Sequence, residues 1–199
     1  DLVRSRGLGD VYKRQMVRSD IGGSGVMFSI DTESGFDKVV LINAAWGLGE
    51  NVVQGAVTPD EYEVFKPLLD TPGLKPIVEK TCGAKEIKMI YAGTEGGETK
   101  NVPTSKAERG AYVLSDEEIL NLARQAATIE KHYGQAMDME WAKDGETGKL
   151  YIVQARPETV QSRIDVTALK SYSIGKTGKT LLTGLSVGAA VRAGRVCMI

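Results

Sequence analysis

The sequence has few of the side chains that nucleophilic enzymes use, because it contains one histidine, His132, and two cysteines, Cys82 and Cys197. No second histidine is available for a metal cluster or a catalytic triad, so Ser–His–Asp or Cys–His catalysis is not expected. His132 falls in the last turn of a predicted helix, where a partial positive charge suits the helix dipole, and a structural role is expected. The cysteines are far apart and have no metal or redox spacing, which predicts a reduced, cytoplasmic setting.

Aromatic residues make up 6% of the chain, and no apolar run is long enough to span a bilayer. No secretory signal is visible. Lys and Arg number 25 against 26 Asp and Glu, so the net charge of −1 predicts no nucleic-acid or anionic membrane partner. Glycine is abundant, at 23 residues, which favours loops that approach a ligand closely. A chain of 199 residues suffices for one domain and part of another.

Residues 1–15 (DLVRSRGLGDVYKRQ) show neither strand alternation nor helical periodicity. They resemble translated sequencing-adapter read-through, so we expect a non-native leader that takes no part in the core. The alternative is a genuine polar leader. On the first interpretation the gene begins upstream of Met16, and the chain is a fragment.

Short apolar runs between Gly and Pro breaks predict strands at residues 25–30, 38–43, 61–66, 77–80 and 86–92. The polar, Gly-rich residues 93–109 are predicted to form a surface loop. Residues 46–55 (WGLGENVVQG) form a glycine-punctuated loop with no GKS or GKT after it, so it is not a P-loop. A structural turn is favoured for this loop, and an approach of its backbone amides to a phosphate is the alternative.

Ser115 and Glu118 have the spacing of a capping box, which predicts that a helix begins here, and Gly134 is suited to end it. The helix has an apolar stripe that is expected to pack against a sheet. The stripe consists of Ile119, Leu122, Ala123, Ala126, Ile129 and Tyr133.

Residues 137–157 (MDMEWAKDGETGKLYIVQARP) predict two strands joined by a Gly-containing turn. Alternation predicts which side chains share a face. On the first strand, one face carries Met137, Met139 and Trp141, and the other carries Asp138 and Glu140. On the second strand, Gln154 and Arg156 are expected to share a face with Ile152. Carboxylate and amide oxygens are the ligands that Mg²⁺ prefers, and a guanidinium suits phosphate. The hairpin is therefore a candidate metal and phosphate site, and an ordinary solvated face is the alternative.

Beyond Thr159 the composition changes, which places a domain boundary near residues 162–168. Residues 168–199 read as the opening strands of a second domain.

Four blocks in order resemble the phosphoenolpyruvate synthase (pyruvate, water dikinase) family. They are SGVMFSIDTESGF at 24–36, GLGENVVQGAVTPDEY at 47–62, MDMEWAKDG at 137–145 and YIVQARPET at 151–159. The resemblance implies an α+β fold in which residues 16–160 form the C-terminal half of an ATP-grasp domain, with a mostly antiparallel sheet and flanking helices. Residues 168–199 would begin the swivelling phosphohistidine domain.

The resemblance also implies residue roles and partners. Glu140 and Gln154 correspond to ligands of Mg²⁺ at the ATP phosphates, Arg156 to the catalytic guanidinium, and Asp138 to a supporting acid. Met16 and Val17 fall where the family lines the adenine. Pyruvate would bind a C-terminal domain that the chain lacks, and the acceptor histidine would lie beyond Ile199. The full-length protein is expected to be a cytoplasmic homo-oligomer, and this fragment alone is expected to be inactive.

Two other functions are open at this point. A related dikinase or a rifampin-type phosphotransferase could share the same nucleotide-binding half, and its acceptor domain would distinguish it. The chain could also be a non-catalytic nucleotide-binding module.

Overall fold

A six-stranded antiparallel sheet forms the centre of the fold in the computed structural model, which describes residues 16–93 and 98–159. The strand order is β4-β3-β2-β1-β7-β8. The strands are β1 (Gly23–Phe28), β2 (Val39–Trp46), β3 (Asp60–Phe65), β4 (Ile77–Thr81), β7 (Met137–Lys143) and β8 (Leu150–Pro157). The predicted α+β class with a mostly antiparallel sheet is confirmed. The predicted boundaries 1–15 and 168–199 lie outside the described residues.

A separate two-stranded ribbon consists of β5 (Ile87–Tyr91) and β6 (Thr99–Pro103). The prediction of a loop over residues 93–109 was wrong, because this segment contains β6 and a short helix, α2 (Lys106–Gly110). The ribbon's second strand is almost entirely exposed and therefore lacks the apolar alternation that would have identified it. A capping box between Ser105 and Glu108 starts α2.

The long helix, α3 (Asp116–Tyr133), begins and ends where the sequence predicts. The Ser115 side chain accepts a hydrogen bond from the Glu118 amide, and the Glu118 carboxylate accepts one from the Ser115 amide. Gly134 ends the helix with a left-handed φ of 68°, a conformation that glycine adopts at little cost. Tyr133 was predicted to pack in the apolar stripe, but it is 57% exposed and contacts the ring of His132 instead.

Helix α3 covers one face of the sheet, and the main core lies between them. The core side chains from the sheet include Met27, Ile42, Val64, Met139 and Trp141, and those from the helix include Ile119, Leu122, Ala123 and Ala126. The opposite face, called the open face below, carries the polar side chains of the β7–β8 hairpin. A one-turn helix, α1 (Glu50–Val53), lies within the segment predicted as a glycine-punctuated loop and packs near β1 and β5. None of the helices in the described ranges has the length and apolar character needed to cross a membrane.

The carboxylate of Glu108 fixes α2 against the ribbon. It accepts hydrogen bonds from the Lys88 ammonium and from the Ser105 amide. Desolvation opposes ionisation, but these hydrogen bonds outweigh it and lower the pKa of Glu108 from 4.5 to about 2. The ionised carboxylate therefore stabilises the folded state.

This lowered pKa predicts a pH-dependent contribution to stability. Because the pKa of Glu108 is lower in the folded state, its contribution is complete above about pH 5 and is lost as the pH falls through 4.5 towards 2. The stability difference between the wild type and Glu108→Gln should shrink over that range in urea unfolding experiments. Glu117→Gln, on the exposed first turn of α3, controls for the loss of one carboxylate. A difference independent of pH would contradict this assignment.

Candidate functional site

The four polar residues of the β7–β8 hairpin form two cross-strand pairs. Asp138 lies opposite Arg156, and Glu140 lies opposite Gln154. Directly opposed residues in an antiparallel pair project from the same face of the sheet. The register therefore brings these four side chains together on the open face, with the two pairs separated by about 7 Å along the strand.

The turn of the hairpin is organised by Asp144. Its carboxylate accepts hydrogen bonds from the amides of Glu146 and Thr147, and Gly148 follows with a φ of 70°. The hydrogen bond from the Thr147 amide, followed by other bonds in the turn, lowers the pKa of Asp144. A turn of this kind fixes where the second strand begins and so helps to fix the pairing.

A β-bulge at Val153 corrects one expectation about the hairpin faces. Glu140 pairs with Gln154, but the next residue, Trp141, pairs with Ile152, so Val153 is the extra residue. Ile152 therefore packs against the core and does not share a face with Gln154 and Arg156. The expectation that all three share one face was wrong because simple alternation ignores the bulge.

Arg156 is held by Asp138 at the surface of the site. Its Nε donates a hydrogen bond to Oδ2 of Asp138 at 2.7 Å, and its Nη2 lies 2.7 Å from the same oxygen as an ion pair. The Arg156 side chain is 65% exposed, whereas that of Asp138 is 14% exposed. The pair leaves part of the guanidinium fork directed to solvent, where an anion could approach it.

Glu140 and Gln154 place a carboxylate and an amide on facing strands of the hairpin. Neither side chain has a hydrogen-bond partner in the described ranges, and Glu140 is half-buried. A carboxylate and an amide oxygen fit Mg²⁺, which typically takes few protein ligands and completes its shell with water and substrate phosphates. In the same ranges, no three His, Cys, Asp or Glu side chains are grouped to hold a metal.

A cleft of about 540 Å³ on the open face includes Glu140 in its lining. Met16 and Val17, predicted from the resemblance to line adenine, lie in the same cleft. Asp138, Gln154 and Arg156 lie outside the lining formed by the described residues. The structure thus brings three of the six predicted residues into one cavity and places the other three beside it on the hairpin.

The other cleft walls come from residues that the sequence did not identify. They include Val53 of α1 and Gln54 directly after it, Tyr91 at the end of β5, and Trp141 and Val153 of the hairpin. Val53 and Val153 are each more than half exposed, which is unusual for valine and fits an apolar cavity wall. Trp141 is buried, and its Nε1 is the buried side-chain polar atom that lacks a partner in the described ranges.

Acidic side chains also cluster on β3 and β4. Glu61 and Glu63 of β3 and Glu79 of β4 line a second cavity, which extends to Phe28 of β1, the cross-strand partner of Asp138. Desolvation, and then the charges of Glu79 and Asp31, raise the pKa of Glu63. The described lining of this cavity contains no Lys or Arg, so it would repel phosphate, whereas the hairpin offers the guanidinium of Arg156 beside its two carboxylates.

Comparison with known proteins relates the chain to nucleotide-dependent dikinases. Residues 11–174 match the family described as "Pyruvate phosphate dikinase, AMP/ATP-binding domain". The chain is 56% identical over 192 residues to phosphoenolpyruvate synthase of Synechocystis sp. and 53% identical over 188 residues to that of Escherichia coli. It is 38% identical over 190 residues to the probable phosphoenolpyruvate synthase of Pyrococcus abyssi. Each match covers 94% of this chain but only 22–23% of the relative, so the chain spans under a quarter of those proteins.

The exposure of Arg156 predicts that its ion pair contributes little to stability. A double-mutant cycle of Asp138→Ala and Arg156→Ala, measured by urea unfolding, should give a coupling energy below about 1 kcal/mol. Lys66 and Glu130, a less exposed pair with Nζ to Oε2 at 2.7 Å, provide the matched comparison cycle and should couple more strongly. A larger coupling energy for Asp138 and Arg156 would show that the pair stabilises the fold and that Arg156 is not available to bind an anion.

Proposed function

Because the chain belongs to the pyruvate phosphate dikinase AMP/ATP-binding domain family, we propose that its open face binds the phosphates of Mg·ATP. The observation that carries this proposal is the pairing of Glu140 with Gln154 beside that of Asp138 with Arg156. Two oxygen ligands and a guanidinium then face the same space. We further propose that the whole protein converts ATP, pyruvate and water to AMP, phosphoenolpyruvate and phosphate through a phosphohistidine.

Each hairpin residue has a distinct role in this proposal. Arg156 neutralises the phosphoryl oxygens, since phosphoryl transfer depends mainly on positioning and on charge stabilisation. Asp138 orients the guanidinium through the two 2.7 Å contacts. Met16 and Val17 contribute an apolar wall of the cleft for the adenine.

Glu140 and Gln154 would hold the Mg²⁺ ion. When bound, the ion neutralises phosphate charge and orients the polyphosphate. The protein's own contribution is the fixed spacing of the two oxygen ligands across the strands. His132 takes no part, because it lies at the end of α3, which packs against the opposite face of the sheet.

The wider architecture of the proposal follows the family. The described sheet would be the C-terminal half of an ATP-grasp domain, and residues 168–199 would open a phosphohistidine domain. The acceptor histidine and the pyruvate site would belong to other parts of a cytoplasmic, homo-oligomeric enzyme. The identity to phosphoenolpyruvate synthases along 94% of the chain supports this reaction over that of another dikinase.

Removal of the Glu140 carboxylate should weaken metal binding in the nucleotide complex. Mn²⁺ can be titrated by electron paramagnetic resonance into the full-length enzyme with a non-hydrolysable ATP analogue. Glu140→Ala should lower the Mn²⁺ affinity roughly tenfold or more, because one charged ligand is lost. Glu117→Ala removes an exposed carboxylate from α3 and should leave the affinity unchanged. Equal Mn²⁺ affinities in the two variants would show that Glu140 is not a metal ligand.

Replacement of Arg156 tests the catalytic role. In the full-length enzyme, Arg156→Ala should lower turnover much more than it weakens ATP binding, because the charge is needed mainly in the transition state. Loss of one preorganised charge costs on the order of 3 kcal/mol, or at least roughly a hundredfold in rate. Arg156→Lys should recover little of this, because an ammonium lacks the planar fork. Release of AMP and phosphate is the assay, with ATP affinity measured separately, and near-normal turnover in Arg156→Ala would contradict the role.

A further inference from the structure

A fully buried ion pair lies at the base of the β5–β6 ribbon. The ammonium of Lys85 donates to the carboxylate of Asp60, and both side chains are 0% exposed. Asp60 is the first residue of β3, and Lys85 lies in the connection from β4 to β5. The pair therefore joins the main sheet to the ribbon.

The Asp60 carboxylate is saturated with hydrogen-bond donors. Besides Lys85, it accepts hydrogen bonds from the Gly83 amide at 2.9 Å, the Val113 amide at 2.8 Å and the Tyr62 hydroxyl at 3.0 Å. Burial, and then the Asp60 charge, raise the pKa of Tyr62, so its hydroxyl remains a donor at neutral pH. One carboxylate thus connects β3 to the loop before the ribbon and to the segment that leads into α3.

Lys85 is held at its backbone as well as at its side chain. Its amide donates to the Thr58 carbonyl at 3.0 Å, and its carbonyl accepts from the Thr104 hydroxyl at 2.5 Å. Its φ of 41° lies in the left-handed region, which is unusual for a residue other than glycine. Such a conformation persists only where the surrounding contacts hold it, and here they include the hydrogen bonds at the backbone and the ion pair at the ammonium.

The ribbon contacts the residues that line the cleft. The Leu48 amide donates to the Met89 carbonyl at 2.9 Å, and the Asn51 side chain donates to that of Asn101 at 2.8 Å. Tyr91 at the end of β5 lines the cleft. Residues 47–54 are thus tied to the ribbon, and Lys85 lies just before its first strand.

Stability alone does not account for such a pair. A buried ion pair often adds no net stability compared with apolar side chains of the same size, because desolvation offsets the attraction. Its directional hydrogen bonds do restrict the conformation of the connecting loop. We infer that Lys85 is a positioning residue, whose ammonium on Asp60 fixes the ribbon and thereby sets one wall of the cleft. The link from this wall to nucleotide binding rests on the proposed function.

Amide hydrogen exchange of the whole chain tests this inference without any nucleotide. Lys85→Met removes the ammonium and keeps a linear side chain. Exchange should then become roughly tenfold faster or more at Leu48 and within β5, while the β7–β8 hairpin changes only as much as global stability does. Lys66→Met is the matched control, because Lys66 is a largely buried ammonium bound to Glu130 and the Ser29 carbonyl, away from the ribbon. It should show no selective change at Leu48.

A second variant keeps the test decisive if Lys85→Met does not fold. Thr104→Val removes the hydroxyl that donates to the Lys85 carbonyl and leaves the ion pair intact, so it should accelerate exchange at the same amides to a smaller extent. Uniform acceleration throughout the chain in Lys85→Met, or no selective change in Thr104→Val, would overturn the positioning role.

A nucleotide measurement separates this inference from the proposed function. In the full-length enzyme, Lys85→Met should raise the KM for ATP several-fold with a smaller change in kcat, and Lys66→Met should not. If exchange is selectively faster but ATP affinity is unchanged, the positioning of the ribbon stands. The cleft would then not be the nucleotide site, which would count against the proposed function.

Discussion

The register between β7 and β8 is the constraint on which the candidate site depends. Side chains alternate between the two faces of a strand, so a slip of one residue would send the polar side chains into the core. The extra residue at Val153 lets Ile152 pack against the core while Gln154 remains opposite Glu140. A single bulge thus lets the apolar side chains of the hairpin face the core and its polar side chains face the open side of the sheet.

Apolar burial holds this register more firmly than the polar contacts do. Met139 and Trp141 are 0% and 1% exposed, and burial of a side chain of this size contributes about 2–3 kcal/mol. The exposed contact between Asp138 and Arg156 contributes about 1 kcal/mol or less. The polar side chains of the site are therefore positioned by their buried neighbours on β7. Their polar atoms are not needed to hold the register.

The sequence predicted the elements whose signals are local. Ser115 and Gly134 define the ends of α3 through capping chemistry, and short apolar runs between Gly and Pro breaks predicted β1 to β4. Strand β6 was missed because exposed polar residues carry no periodic pattern, and the bulge was missed because Val153 is a good strand former. The environment of Lys85 was not predictable, since its partner is 25 residues away and a lysine in a loop is normally solvated.

The buried pair of Asp60 with Lys85 and the exposed pair of Asp138 with Arg156 have different consequences. Asp60 already accepts four hydrogen bonds in a site closed to solvent, so no ligand can compete for it, and it can only set geometry. Arg156 is largely exposed, and its pairing with Asp138 has little net free energy to lose. Under the proposed function, Asp138 would hold the guanidinium beside the phosphates while the backbone of Arg156 stays fixed by the core, and the part of the fork that faces solvent would meet the ligand. A charge held in place before the ligand arrives is what electrostatic stabilisation of a phosphoryl group requires.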